Sequence, residues 1–349
     1  MDRTPIMSGN STGARMKTCT EVTFGCPVQA TVLGYYPNLG SGIFFTIAFA
    51  ICLFAAAGLG AWKRTWTYGA AITVGLILET AGYVGRILLH YNPWNNGAFE
   101  LQICAIILAP TFICVSVYLT LKHVALHLGP AHLSRVPAAW YPRIFLPADL
   151  TCLIVQAIGG GIAAAAGHDN QSLQRSGNRA IIAGVALQVV VLAAFGLMGA
   201  DYWRRALRHV RSGAASPQTL ALWNDAKFRQ FVWGVTAAYI AILIRCVYRI
   251  VEMSGGWGNH IMQDEPSFLV LDSTLVLVAV YLLTIFHPGL FFPQMRNGYA
   301  KEMAARAGGA AGSAGGSVAN AERDAESDET KNEVPGSAGG EGQKVERPA

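Results

Sequence analysis

Charge is scarce in this sequence: Asp, Glu, Lys and Arg make up 13% of its 349 residues, whereas 52% are hydrophobic. Nothing in it resembles a basic, aromatic-interleaved nucleic-acid surface, and the net charge of +5 is spread over loops. No GxxxxGK run followed by Ser or Thr occurs, so no phosphate-cradling loop couples ATP hydrolysis to movement. No CxxC pair occurs among the seven cysteines, which removes the usual thiol metal and redox sites. His123 and His127, four apart with His132 nearby, lack further ligands and read as interfacial histidines at a helix end. No nucleophile stands with a base in an arrangement above chance. The chain is therefore expected to be neither an enzyme nor a primary pump, and to need no cofactor or metal.

What the sequence does have is long apolar blocks. They lie at about Leu39 to Ala61, Tyr68 to His90, Leu101 to Lys122, Ile144 to Ala166, Ala180 to Ala200, Phe231 to Val251 and Ser267 to His287. Each approaches the ~20 residues that cross a hydrocarbon core about 30 Å thick. Buried helices of a soluble protein would be shorter and flanked by amphipathic pattern. An all-α, polytopic membrane protein of seven transmembrane helices follows, because a helix satisfies its own backbone in lipid.

Lys63 and Arg64 follow the first block, while "CPVQATVLGYYPN" before it has no Lys or Arg. This bias predicts the amino terminus outside and the carboxyl terminus cytoplasmic. Arg135 and Arg143, and then Arg204, Arg205, Arg208, Arg211, Lys227 and Arg229, fall in the expected cytoplasmic loops. Arg175 and Arg179 dissent, lying in an external one. Residues 1–38 hold no apolar core of signal-peptide length, so the first span is expected to direct insertion. The expected organisation is an extracellular segment over 1–38, a membrane domain over 39–289 and a cytoplasmic tail over 290–349. That tail is Ala-, Gly- and charge-rich, and disordered after about 303.

Asn10 and Asn170 begin glycosylation sequons on the expected outer side. Cys19 and Cys26 share the external segment, where they form either a small disulfide loop or two free thiols.

Charged side chains deep in a membrane cost several kcal/mol and normally face the bundle interior. Glu79 and Arg86, with Tyr83 between them, share a face of the second span, and Arg245, Arg249 and Glu252 share one of the sixth. Asp272 lies in the seventh span, and Asp149 and Gln156 lead into "GGG" at Gly159 to Gly161 in the fourth. At 1.5 Å per residue Glu79 falls near the midplane. Arg86, Arg245, Arg249, Glu252 and Asp272 fall in the outer half, and Asp149 lies nearer the cytoplasm. The six outer and midplane groups are expected to meet in one cluster, either pairing to fix the bundle or serving a headgroup or proton in a transport path. The three glycines mark either close helix contact or a helix break.

Several stretches, in order over about residues 35 to 289, carry a resemblance: "YYPN", "ETAGYVGR", "LAPTFICVSVY", "DLTCLIVQAIGGG", "RCVYRIVE", "DEPSFLVLD" and "HPG". Together they resemble the fungal RTA-like proteins of the lipid-translocating exporter family, in which Phe268 stands where a tyrosine is usual. The resemblance implies a plasma-membrane protein that exports lipids or amphiphilic toxicants, with sphingoid long-chain bases among its substrates. Its partners would be membrane lipids and an amphiphilic small molecule. A seven-span lipid-sensing receptor or regulator, signalling through its cytoplasmic loop and tail, fits the same topology.

Overall fold

The structure, a computed structural model, describes residues 19–128, 137, 140–166, 171–213, 215–254, 260–292 and 295. Asn10, Asn170, His132, Arg135 and residues 296–349 of the expected tail lie outside them, while the first tail residues, Leu290 and Phe291, belong to the seventh helix. Among the described residues, seven helices are long and apolar enough to cross a membrane. These are α1 (Leu39–Trp62), α2 (Trp66–Tyr91), α3 (Asn96–His127), α4 (Trp140–Ala166), α5 (Gln171–Arg211), α6 (Ala226–Ser254) and α7 (Glu265–Phe291). A two-turn helix, Pro217–Asn224, links α5 to α6.

The fifth helix departs most from expectation. Its 41 residues make it about 61 Å long at 1.5 Å per residue, twice the hydrocarbon thickness. The arginines assigned to loops on either side of it, Arg175 and Arg179 as well as Arg204 to Arg211, are its end turns. Asp201 and Arg205 pair across one turn at 3.0 Å there.

Consecutive helices are neighbours, α7 returns to α1 to close a ring, and α3 meets α6 across it. Large apolar residues face outward, Phe54 at 76% exposure and Leu197 at 74%. Such a surface is at home in lipid, where burying apolar area no longer drives helices together and close backbone approach does. Glycines supply that approach in the two most extensive pairs. A Cβ on Gly85 of α2 would stand 2.9 Å from the Ala98 carbonyl oxygen and 3.0 Å from the Gln102 nitrogen of α3. One on Gly159 of α4 would stand 2.8 Å from both the Gly177 oxygen and the Ile181 nitrogen of α5. Helix α4 runs unbroken through Gly159 to Gly161, so the triplet is no break there, and Gly159 is a contact. Gly85→Ala pushes backbone rather than a flexible side-chain end, and is expected to cost about 1–3 kcal/mol. Thermal unfolding in detergent checks this.

One of the helix prolines has a further consequence. Pro110 in α3 cannot donate to the carbonyl one turn back. That carbonyl, of Ile106, instead accepts from Arg245 Nη2 of α6 at 2.8 Å. The freed acceptor thus ties α3 to α6 through a charged side chain.

Helix α7 begins with one α turn, Glu265–Phe268, and passes into a π stretch, Leu269–Thr274, before resuming α geometry over Leu275–Ile285. The wider turn leaves carbonyls that hydroxyls reach: Thr274 Oγ1 donates to Leu269 O at 2.8 Å. π turns are rare and often mark functional positions. This one contains Asp272.

Candidate functional site

The bundle end formed by the start of α1, the end of α2 and the start of α7 is tied together by the segment before α1. Cys19 and Cys26 are joined by a disulfide, and Trp94 Nε1 donates to the Cys26 carbonyl. Asn38 caps α1, its Oδ1 accepting from Ser41 N at 3.1 Å. Asn38 N donates to Glu265 Oε1 at 2.8 Å, and the Pro37 carbonyl lies 2.7 Å from His90 Nδ1. The "YYPN" stretch therefore clamps three helices.

Glu265 is the partner that the sequence pattern did not single out. Arg86 Nη2 donates to its Oε1 at 2.6 Å and to the Tyr35 hydroxyl at 3.2 Å. Burial pushes the Tyr35 phenol up, more than the adjacent guanidinium lowers it. Tyr35 is therefore a neutral acceptor, and Glu265 carries the charge that balances Arg86.

Deeper in the same end, Asp272 receives Arg245 and Arg249 of α6. Arg245 Nε lies 2.8 Å and Arg249 Nε 2.9 Å from its Oδ1, and Arg249 Nη2 donates to its Oδ2 at 3.3 Å. Arg249 Nη1 also donates to Glu252 Oε2 at 2.6 Å. The i, i+4, i+7 face of α6 thus meets the π turn of α7, and all four residues are buried. Phe268 divides this network from Arg86. Its ring centroid lies 4.7 Å from the Arg86 guanidinium carbon and 5.6 Å from that of Arg249. Two cations on one ring need an aromatic face and no hydroxyl.

The expected single cluster is thus two clusters with a phenyl ring between them. Glu79 and Arg86 share a face of α2 but not a partner, since seven residues separate them by about 10 Å. Glu79 is 1% exposed, its Oε1 has no hydrogen-bond partner, and its charged neighbours are Arg245, Arg249 and Asp272. Tyr83 stacks on Phe45 and Phe49 of α1, ring centroids 5.1 and 5.3 Å away.

Asp149 and Gln156 belong elsewhere. The Tyr118 hydroxyl of α3 donates to Asp149 Oδ2 at 2.6 Å. Gln156 Nε2 donates to Gln188 Oε1 at 3.2 Å, and Gln188 Nε2 to Thr111 Oγ1 at 3.3 Å, a buried ladder joining α4, α5 and α3. His123 and His127 each place Nδ1 against a carbonyl one turn back, at 2.7 and 2.9 Å, as helix-end histidines do. No group of three or more His, Cys, Asp or Glu suited to a metal occurs among the described residues. The "HPG" motif is a turn, His287 Nδ1 accepting from Gly289 N at 3.1 Å.

A cavity of about 430 Å³ opens toward the other end, between α3, α5 and α6. Val117 and Leu121 form its back, and Gly196, Gly199 and Ala200 thin the α5 wall. Trp233, 72% exposed, and Ile240, 48% exposed, belong to its α6 side, on the bundle surface. Its lining is almost wholly apolar, and its volume lies within the roughly 300–1,000 Å³ of small-molecule sites. At the network end lies a cavity of about 20 Å³, room for one water. The large cavity had no periodic signal in the sequence, because three helices each contribute a few small or aromatic residues.

No solved structure matches the chain. It is 31% identical over 284 residues to a sphingoid long-chain base transporter of Saccharomyces cerevisiae, covering 74% of each chain. It is 26% identical over 300 residues to a lipid-translocating exporter-like protein of Leptosphaeria maculans, covering 78% of this chain and 53% of that one. Protoporphyrin uptake protein 1 of Saccharomyces cerevisiae is 24% identical over 220 residues, covering 62% of this chain and 67% of that one. The family model described as RTA1 like protein matches residues 72–295, which hold the paired charges, the π turn and the cavity, and the chain belongs to that family.

Proposed function

We propose that this protein is a plasma-membrane translocase that exports single-chain amphiphiles, sphingoid long-chain bases foremost, and that it is not an enzyme. The observation that carries this is the placement of an apolar cavity and a buried charge network on one helix. Ile240 belongs to the cavity and Arg245 to the network, about 7.5 Å apart along α6 at 1.5 Å per residue. An alkyl chain in the cavity and a headgroup at the network would suit one molecule. The transporter and exporter names of the relatives support the same reading.

The physics divides the work. A chain moving from lipid into an apolar cavity exchanges one hydrocarbon environment for another and gains little. Weak chain binding favours release, so selectivity rests on the polar end. We place the amino terminus, with its disulfide, outside, and the arginine-bearing projection of α5 in the cytoplasm, following the positive-inside bias. The headgroup network then faces the side of release.

Purified protein in liposomes with a fluorescent long-chain base is expected to speed movement between leaflets. Binding without movement would favour the lipid-sensing receptor instead. Absence of both would sink the proposal.

A further inference from the structure

Counting the charges around the α6–α7 network leaves one group over. Arg86 is matched by Glu265 at 2.6 Å. Arg245 and Arg249 are matched by Asp272 and Glu252. Glu79 remains, in the middle of α2, 1% exposed and with Oε1 lacking a hydrogen-bond partner. The groups that face it are Arg245 and Arg249 from α6, Asp272 from α7 and Tyr83 from its own helix. Both arginines already have carboxylate partners, and Arg245 gives a further N–H to the Ile106 carbonyl. An ionised Glu79 would add an uncompensated negative charge at membrane depth, which proteins avoid.

We propose that Glu79 is an exchangeable cation site, holding a proton in the arrangement described here and giving it up when the ammonium group of an amphiphile arrives. The exchange balances in atoms and charge. The carboxylic acid and R–NH3+ become a carboxylate paired with R–NH3+, and one proton leaves to water. The surplus acid is neutral before the exchange, through its O–H bond, and neutralised after it, through the ion pair. Asp272 and Glu252 do not serve, since losing either to a substrate would strand a guanidinium. This inference rests on the translocase reading and adds to it a proton moving against each amine.

The test uses the full-length protein in vesicles holding a trapped pH dye, with a fluorescent long-chain amine or its neutral N-acetyl counterpart. Amine movement is expected to drive proton movement the other way. Glu79→Gln, which keeps the shape and cannot exchange a proton, is expected to abolish the proton signal and slow the amine at least tenfold. Infrared difference spectra of the purified protein give a readout that needs no transport. A protonated-carboxyl band is expected in wild type, absent from Glu79→Gln and lost on adding the amine but not the N-acetyl compound. Amine movement without proton flux, and without a band assignable to Glu79, would overturn the inference while leaving the translocase reading intact. If no amphiphile moves, that reading falls, and the infrared band alone decides whether Glu79 holds a proton.

Discussion

Asp272→Ala is expected to destabilise this protein strongly rather than merely silence it. One carboxylate there answers two guanidiniums, with Arg245 Nε at 2.8 Å and Arg249 Nε at 2.9 Å, and is itself 1% exposed. Breaking a buried pair costs about 3–5 kcal/mol, because the stranded charge stays in a low-dielectric interior. Here two charges lose their shared partner, while Glu252 pairs with Arg249 at 2.6 Å. Typical folded-state stability is about 5–15 kcal/mol. The unfolding midpoint in detergent should fall by roughly 10 °C on the usual size scaling. Asp272→Asn should behave almost as badly, since it keeps the shape but not the charge. A midpoint within about 2 °C of wild type would show that the network does not hold α6 to α7.

The second large effect is on transport without loss of fold. Gly199 lies on the cavity wall, and a Cβ there would first meet Leu121 Cδ2 at 3.5 Å, an ordinary contact. Gly199→Phe therefore grows into empty space rather than into backbone, unlike Gly85→Ala. Filling the cavity should cut movement of the fluorescent long-chain base at least tenfold, about 1.4 kcal/mol in free-energy terms. Abundance and unfolding temperature should match wild type. Unchanged movement would remove the cavity from the path and leave the chain to travel along the outer surface of the bundle.

Both predictions depend on features unequally legible in the sequence. Hydropathy alone locates all seven spans, since backbone self-satisfaction in lipid permits little else. Periodicity alone puts Arg245, Arg249 and Glu252 on one face. The cost of buried charge alone says that Asp272 must find a cation. Other features carry no such signal. Glu265 sits at a helix start, where an acid needs no explanation, so its bond to Arg86 is invisible until α2 and α7 are placed side by side. Phe268 looks like any apolar residue until two guanidiniums are found over its ring. The length of α5 is hidden because its ends are polar, and hydropathy reads polarity as loop.

The sequence by itself thus determined the class, the spans and the residues that cannot stand alone in lipid. These follow from local free energies: hydration of charge, backbone hydrogen bonding and the rise of a helix. The tertiary structure decided who partners whom. It gave Arg86 to Glu265, Arg245 and Arg249 to Asp272, the Ile106 carbonyl freed by Pro110 to Arg245, and nothing to Glu79 Oε1. It also decided where space is left. Partnership and empty space depend on distances between segments far apart in the chain, and no local free energy encodes those.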